Sequence, residues 1–168
     1  KQILQEDETM IVATASNSKH KMLIIEDHKD IRLYMKVVFS QHYTIIMAEN
    51  GEEGVRLARK EIPDIIISDV MMPGMDGFEC TKILKEDIKT CHIPIILLTA
   101  LVGDSNMVKG LELGADDYIL KPFNPEILIS KVKRLIKNRL ELKQTYMKLM
   151  MANSKLNATR QEEEPKED

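Results

Sequence analysis

Apolar and polar positions along this chain fall into short segments that alternate between two periods. Met22-Leu23-Ile24-Ile25, Tyr43 to Ala48, Ile65-Ile66-Ile67, Ile93 to Ala100 and Tyr118-Ile119-Leu120-Lys121 are compact apolar runs bounded by turn residues. Runs of this length predict strands, and near-continuous hydrophobicity predicts burial on both faces. Between them the spacing becomes helical. Ile31, Tyr34, Met35, Val38 and Phe39 share one face of a helix expected from Asp30 to about Ser40. Asn50 caps a second helix, with Val55, Leu57 and Ala58 on its apolar face and Pro63-Asp64 as its stop. Asp76-Gly77-Phe78-Glu79 supplies an N-cap and a reciprocal acid for a third, running to about Asp87. A fourth is expected from about Asp104 to Leu113, with Gly114 at C′. Asn124-Pro125-Glu126 opens the last helix with cap, N1 proline and first-turn acid in order.

Strands and helices thus alternate about five times. That predicts a parallel sheet with right-handed crossovers and helices on both faces, a three-layer α/β/α doubly wound fold. The alternation spans residues 21–140 and has flanks of a different kind. Residues 1–20 are polar and read as a linker, with Met10-Ile11-Val12 as a short apolar interruption. Helical signal continues over 141–160: Leu128, Leu135, Leu142, Leu149 and Leu156 recur every seven residues, with Val132, Arg139, Tyr146 and Asn153 between them. This has the spacing of a coiled-coil seam with polar a positions, and a homodimer through this helix is expected. Ile129 and Ile136 form a second stripe, expected to face the sheet. The tail, 161–168, is acidic and expected to be disordered.

Composition narrows the function classes. The 168 residues carry a net charge of −3, so no basic field favours direct nucleic-acid binding. No apolar run approaches the roughly 20 residues of a membrane span, and membrane contact by this segment is not expected. Cys80 and Cys91 are too few for a disulfide framework or zinc site, and as free thiols they suit a reducing, cytoplasmic location. The chain begins at Lys1 rather than Met and is expected to be a segment cut from a longer parent, whose membrane anchor, if it has one, would lie outside this sequence. His20, His28, His42 and His92 are scattered without a ligand or base pattern.

The chemistry lies at the strand ends. The first strand ends on Glu26-Asp27, the third on Asp69, the fourth on Thr99 and the fifth on Lys121. A lone strand-end Asp is ordinarily a turn former. Open α/β sheets, however, bind ligands beyond the carboxyl ends of their strands. Three carboxylates, a hydroxyl and an ammonium on one rim suit phosphoryl transfer to Asp69. Clustered carboxylates repel one another, and a hard divalent cation relieves this. Mg²⁺ takes few carboxylates together with waters and phosphate oxygens. Asp27 and Asp69 are the expected direct ligands, with Glu26 direct or through water and the Met71 carbonyl as a further donor. Thr99 and Lys121 would hold the remaining phosphoryl oxygens, since such catalysis is mostly positioning and charge neutralisation.

These pieces carry a family resemblance. Leu23-Ile24-Ile25-Glu26-Asp27, Asp69-Val70-Met71-Met72-Pro73-Gly74-Met75-Asp76-Gly77, Leu98-Thr99-Ala100, Gly114-Ala115-Asp116-Asp117-Tyr118 and Lys121-Pro122-Phe123 are together highly specific. From about His20 to Arg139 the chain resembles the receiver domains of response regulators in two-component signalling. The resemblance implies a flavodoxin-like five-stranded sheet of order 2-1-3-4-5, an order the pattern alone does not supply. It implies that Asp69 accepts a phosphoryl group from a kinase phosphohistidine, in cis or in trans. It implies Mg²⁺ at Glu26, Asp27, Asp69 and the Met71 carbonyl, coupled motion of Thr99 and Tyr118 on phosphorylation, and a cis Lys121–Pro122 bond. Flanking sequence on both sides resembles an internal receiver of a hybrid sensor histidine kinase with a transcriptional output. Many members have two aspartates where this chain has Glu26-Asp27; the longer Glu favours contact through water.

The rival chemistries fit less well. An aspartate-nucleophile phosphatase needs a second acid two residues after the nucleophile, and that position is Met71. A flavin or nucleotide binder needs a Gly- or Ser/Thr-rich loop after the first strand, where this chain has Glu26-Asp27-His28-Lys29-Asp30. A degenerate docking receiver would not need Asp27, Asp69, Thr99 and Lys121 together. The segment therefore reads as a switch that assists its own phosphorylation, not as a turnover enzyme. Met71 and Leu101, each two residues past a site residue, are apolar and cannot hold a hydrolytic water, so a long-lived aspartyl phosphate is expected.

Overall fold

The computed structural model describes residues 18–162. Met10-Ile11-Val12 and the acidic segment 163–168 lie outside them. The described residues form β1 (His20–Ile25), α1 (Lys29–Phe39), β2 (Tyr43–Ala48), α2 (Gly51–Glu61), β3 (Ile65–Asp69), α3 (Gly77–Glu86), β4 (Ile95–Thr99), α4 (Asp104–Glu112), β5 (Asp117–Leu120) and α5 (Pro125–Glu162). All strand pairings are parallel, in the order β2-β1-β3-β4-β5. The doubly wound fold is the one expected.

The apolar runs explain the centre of this order. Met22 to Ile25 of β1 and Ile65 to Ile67 of β3 are fully buried, as are Ile96 and Leu97 of β4. Strands with no polar face must be covered on both sides. Leu23, Ile25, Ile66 and Leu97 join one core with Val55 and Ala58 of α2 and Phe78, Cys80 and Leu84 of α3. Met22, Ile24, Ile67 and Leu98 alternate to the opposite face and are as deeply buried. Met35 and Phe39 of α1 are buried too. The edge strand β5 keeps an exposed Leu120, as an edge permits.

Several boundaries differ from expectation. β4 starts at Ile95 rather than Ile93, because Pro94 has no N–H and the Ile93 N–H donates to Thr90 at 3.0 Å. β5 ends at Leu120, one residue before Lys121, which enters a cis peptide bond with Pro122. β1 begins at His20, paired with Tyr43, so the expected linker ends earlier than residue 20. α1 begins at Lys29, and its N-cap His28 makes no side-chain cap bond. Two of the caps read from the sequence form as expected: Asn50 Oδ1 accepts from the Glu53 N–H and Asp76 Oδ1 from the Glu79 N–H, both at 2.8 Å. Gly114 follows α4 with φ of 105°, the conformation that a C′ glycine supplies.

The described chain divides into two compact units, one ending at Pro125 and one made of the helix from Glu126. Within α5 the buried positions are Leu128, Val132 and Ile136, spaced as one helical face. Burial therefore falls on the leucine stripe as well as on Ile136, not on the Ile129–Ile136 stripe alone.

The first residue of α3 sits hard against the end of β3. A Cβ added at Gly77 would collide with the Asp69 carbonyl oxygen and come within 2.8 Å of Val70 Cα. Both obstacles are backbone and cannot swing aside. Gly77→Ala is expected to destabilise the fold by about 1–3 kcal/mol, read as a lower urea midpoint; an unchanged midpoint would show that β3 and α3 are not clamped together here.

Candidate functional site

Register along the sheet sets the site. Ile25 pairs with Ser68, so Glu26 and Asp69 emerge from the sheet at the same level on adjacent strands. Asp69 pairs with Leu98, which sets Thr99 one residue further on. Thr99 pairs with Leu120, and the Lys121 N–H donates to the Thr99 carbonyl at 2.8 Å. In the order β2-β1-β3-β4-β5 the winding of the sheet reverses between the parallel strands β1 and β3, and the crevice at such a switch point is where doubly wound sheets bind.

The structure brings four of the strand-end side chains together: Glu26, Asp27, Asp69 and Lys121. One oxygen from each of Glu26, Asp27 and Asp69 lies within 4.8 Å of the other two. Lys121 Nζ stands 2.9 Å from Glu26 Oε2 and 3.4 Å from Asp69 Oδ1. Glu26 and Asp69 are buried while Asp27 is exposed. Burial pushes the Asp69 carboxyl up, opposed by the Lys121 ammonium; Asp27 adds repulsion in the same direction as burial. The Glu26 carboxyl is also pushed up, again chiefly by burial and against its hydrogen bond from Lys121. Both oxygens of Glu26 are engaged, since Oε1 accepts from the His28 N–H at 3.0 Å.

Thr99 is fully buried, and its Oγ1 accepts from the Leu101 N–H at 3.1 Å. Tyr118 is buried, with its hydroxyl donating to the Leu101 carbonyl at 3.3 Å. Burial pushes its phenol up, and a hydrogen bond with Thr99 works against that. Met71 is exposed and Leu101 half-buried. Both line one open cleft of about 600 Å³ with Pro73, Asn106 and Lys109. Cys80 is buried, which pushes its thiol up to about 12, and Cys91 is exposed; neither reaches the site.

The family described as the response regulator receiver domain matches residues 22–133. This chain belongs to the response regulator receiver domain family. The receiver domain is 43% identical over 141 residues to "Histidine kinase P4" of Formosa agariphila, covering 84% of this chain and 10% of that protein. It is 38% identical to the "Probable transcriptional regulator ycf27" of Guillardia theta, covering 71% of this chain and 46% of that protein. Among solved structures it is similar to the signal receiver domain of a signal transduction histidine kinase from Syntrophus aciditrophicus. That likeness has 40% identity and a TM-score of 0.67, covering 71% of this chain and 91% of that one. The chain thus spans a tenth and under half of the two curated relatives.

One residue touching this site was not picked out by pattern. Arg32, on the inward face of α1, donates to the Glu26 carbonyl at 2.7 Å and the Asp27 carbonyl at 3.2 Å. The signal was present: Arg32 keeps helical spacing with the buried Met35 and Phe39, where an apolar residue is ordinary.

Burial outweighs the Lys121 ammonium at Asp69, so its ionised carboxylate is a net cost without a further cation. Its folded pKa lies above the unfolded value, so the folded state binds more protons there. That contribution to stability is present below the unfolded carboxylate pKa and lost as pH rises through the raised one. Asp69→Asn removes the loss and leaves the Lys121–Glu26 pair intact. In Mg²⁺-free thermal melts the variant's advantage over the native protein is expected to grow as pH rises from the carboxylate range to neutrality; a constant difference would count against burial as the cause.

Proposed function

We propose that this receiver domain is the phosphoacceptor of a two-component phosphorelay, with Asp69 as the acceptor. The observation that carries the reading is the Lys121 ammonium, in contact with both Glu26 and Asp69 at the shared end of β1 and β3. An Asp69 oxygen attacks the phosphorus of a kinase phosphohistidine. The P–N bond breaks, its electron pair leaves with the imidazole, and an acyl phosphate forms on Asp69. Lys121 exchanges carboxylate contacts for phosphoryl oxygens, and Thr99 donates its hydroxyl to another.

The donor set fits a hard divalent cation, being all oxygen and net negative. Asp27, Asp69 and the Met71 carbonyl would hold Mg²⁺ directly. Glu26 contributes through water, because both of its oxygens already have partners. Bound there, Mg²⁺ supplies charge neutralisation at the phosphoryl oxygens. Thr99 drawn toward the phosphoryl group loosens its bond to the Leu101 N–H, and Tyr118 follows through the Leu101 carbonyl. That two-state element would pass the signal to an output, which the likeness to a named transcriptional regulator suggests is transcription. A hybrid sensor histidine kinase as parent accords with the likeness to a named histidine kinase.

Treatment with acetyl phosphate and Mg²⁺ is expected to add one phosphoryl group to the native chain and none to Asp69→Asn, read by intact mass. Because Met71 and Leu101 offer no hydrogen bond to an attacking water, the adduct should outlast minutes; decay within seconds would refute that part, and an adduct on another residue would refute the acceptor assignment.

The far half of α5 favours a second, compatible role. Leu142, Tyr146, Leu149 and Leu156 are each at least 60% exposed on one heptad stripe, while Lys137, Glu141, Lys148 and Lys155 stand off it. The stripe is complementary to itself, which suits a two-helix coiled coil with a second copy of this chain. Sedimentation of the phosphorylated chain is expected to give a dimer that Leu149→Lys abolishes; monomers in both states would remove the proposal.

A further inference from the structure

A buried guanidinium needs an explanation, since taking such a charge out of water is costly unless its donors are met. Arg32 is 8% exposed and meets three acceptors. One guanidinium nitrogen donates to the Glu26 and Asp27 carbonyls, at 2.7 and 3.2 Å, and the other pairs with Glu49 Oε1 at 3.0 Å. Glu49 directly follows β2, so the side chain of α1 ties the end of β1 to the end of β2.

These two carbonyls lie just past Ile25, where β1 stops pairing with β3. On its other side the Glu26 N–H donates to the Ala48 carbonyl at 3.1 Å. The peptide that carries both acids is thus held from both sides, and Arg32 holds the outer one. A leucine or methionine would fill the same inward position beside Met35 and Phe39 without a desolvated charge. It would leave the carbonyls unmet and the Glu26–Asp27 peptide free to turn. A lysine would keep the charge and lose the planar fork that serves carbonyls and carboxylate at once.

We propose that Arg32 is a positioning residue for the divalent cation: it fixes the backbone of Glu26 and Asp27 and so the directions from which their carboxylates meet Asp69. This rests on the cation-assisted phosphoacceptor reading above. Arg32 touches neither the cation nor the phosphoryl group; Glu49, exposed and outside the acidic cluster, anchors its far end.

The test uses the full 168-residue chain. Mg²⁺ alone is titrated by calorimetry into the native protein, Arg32→Lys and Glu49→Gln, with cation-free melts of each. Arg32→Lys is expected to melt cooperatively and to lose about tenfold in Mg²⁺ affinity. Its acetyl phosphate reaction should return to the native rate at saturating Mg²⁺. Glu49→Gln should shift affinity in the same direction by less. Native Mg²⁺ affinity in both variants would overturn the inference, as would an Arg32→Lys rate that stays low at saturating Mg²⁺. Should Arg32→Lys fail to fold, Glu49→Gln decides alone, and unchanged affinity there overturns it. A native chain that binds Mg²⁺ yet takes no phosphoryl group sinks the acceptor reading and leaves this inference standing on the titrations.

Discussion

Three carboxylates share the end of two neighbouring strands, and a single ammonium stands among them. Lys121 Nζ lies 2.9 Å from Glu26 and 3.4 Å from Asp69, leaving Asp27 to solvent. Like charges this close are tolerated only beside a compensating charge. Asp69 and Glu26 are held up in pKa by burial, so each gains from anything positive that arrives. This imbalance, in a donor set made wholly of oxygen, is what supports the proposal of a cation-assisted phosphoacceptor.

The sheet makes the crowding possible. In the order β2-β1-β3-β4-β5 the winding reverses between β1 and β3, and that reversal opens a crevice at their shared end. Parallel register then steps the functional groups across that edge, from Glu26 and Asp69 to Thr99 and Lys121. The cost falls on the core below: β1, β3 and β4 carry apolar residues on both faces and must be covered by helices on each. Gly77 shows how tightly the cover is drawn, since α3 starts against the Asp69 carbonyl with no space for a methyl group.

Much of this was legible in the residues themselves. Run length and period separated strands from helices, because a doubly covered strand has no polar side to confuse the pattern. Asn50 and Asp76 announced their helices through cap chemistry that is local to four residues. Glu26, Asp27, Asp69, Thr99 and Lys121 stood out because each ends an apolar run, where a polar side chain has no packing reason to be. Family likeness, not pattern, supplied the strand order, since alternation is compatible with more than one winding.

What the sequence determined by itself was therefore local: which segments are extended, which are helical, where they stop and which chemistry stands at the stops. Period and capping act over a few residues, so they can be read without knowing what packs where. Tertiary structure decided what depends on distant partners. It set the Lys121–Glu26 pair across 95 residues of chain, and turned Arg32 from a helix-face residue into the tie beneath two acids. It started β4 at Ile95, since Pro94 has no N–H to give and the Ile93 N–H is taken by Thr90. Ion pairs and backbone clamps of this sort arise only when the sheet has assembled, because neither partner carries a mark of the other in its own stretch of sequence.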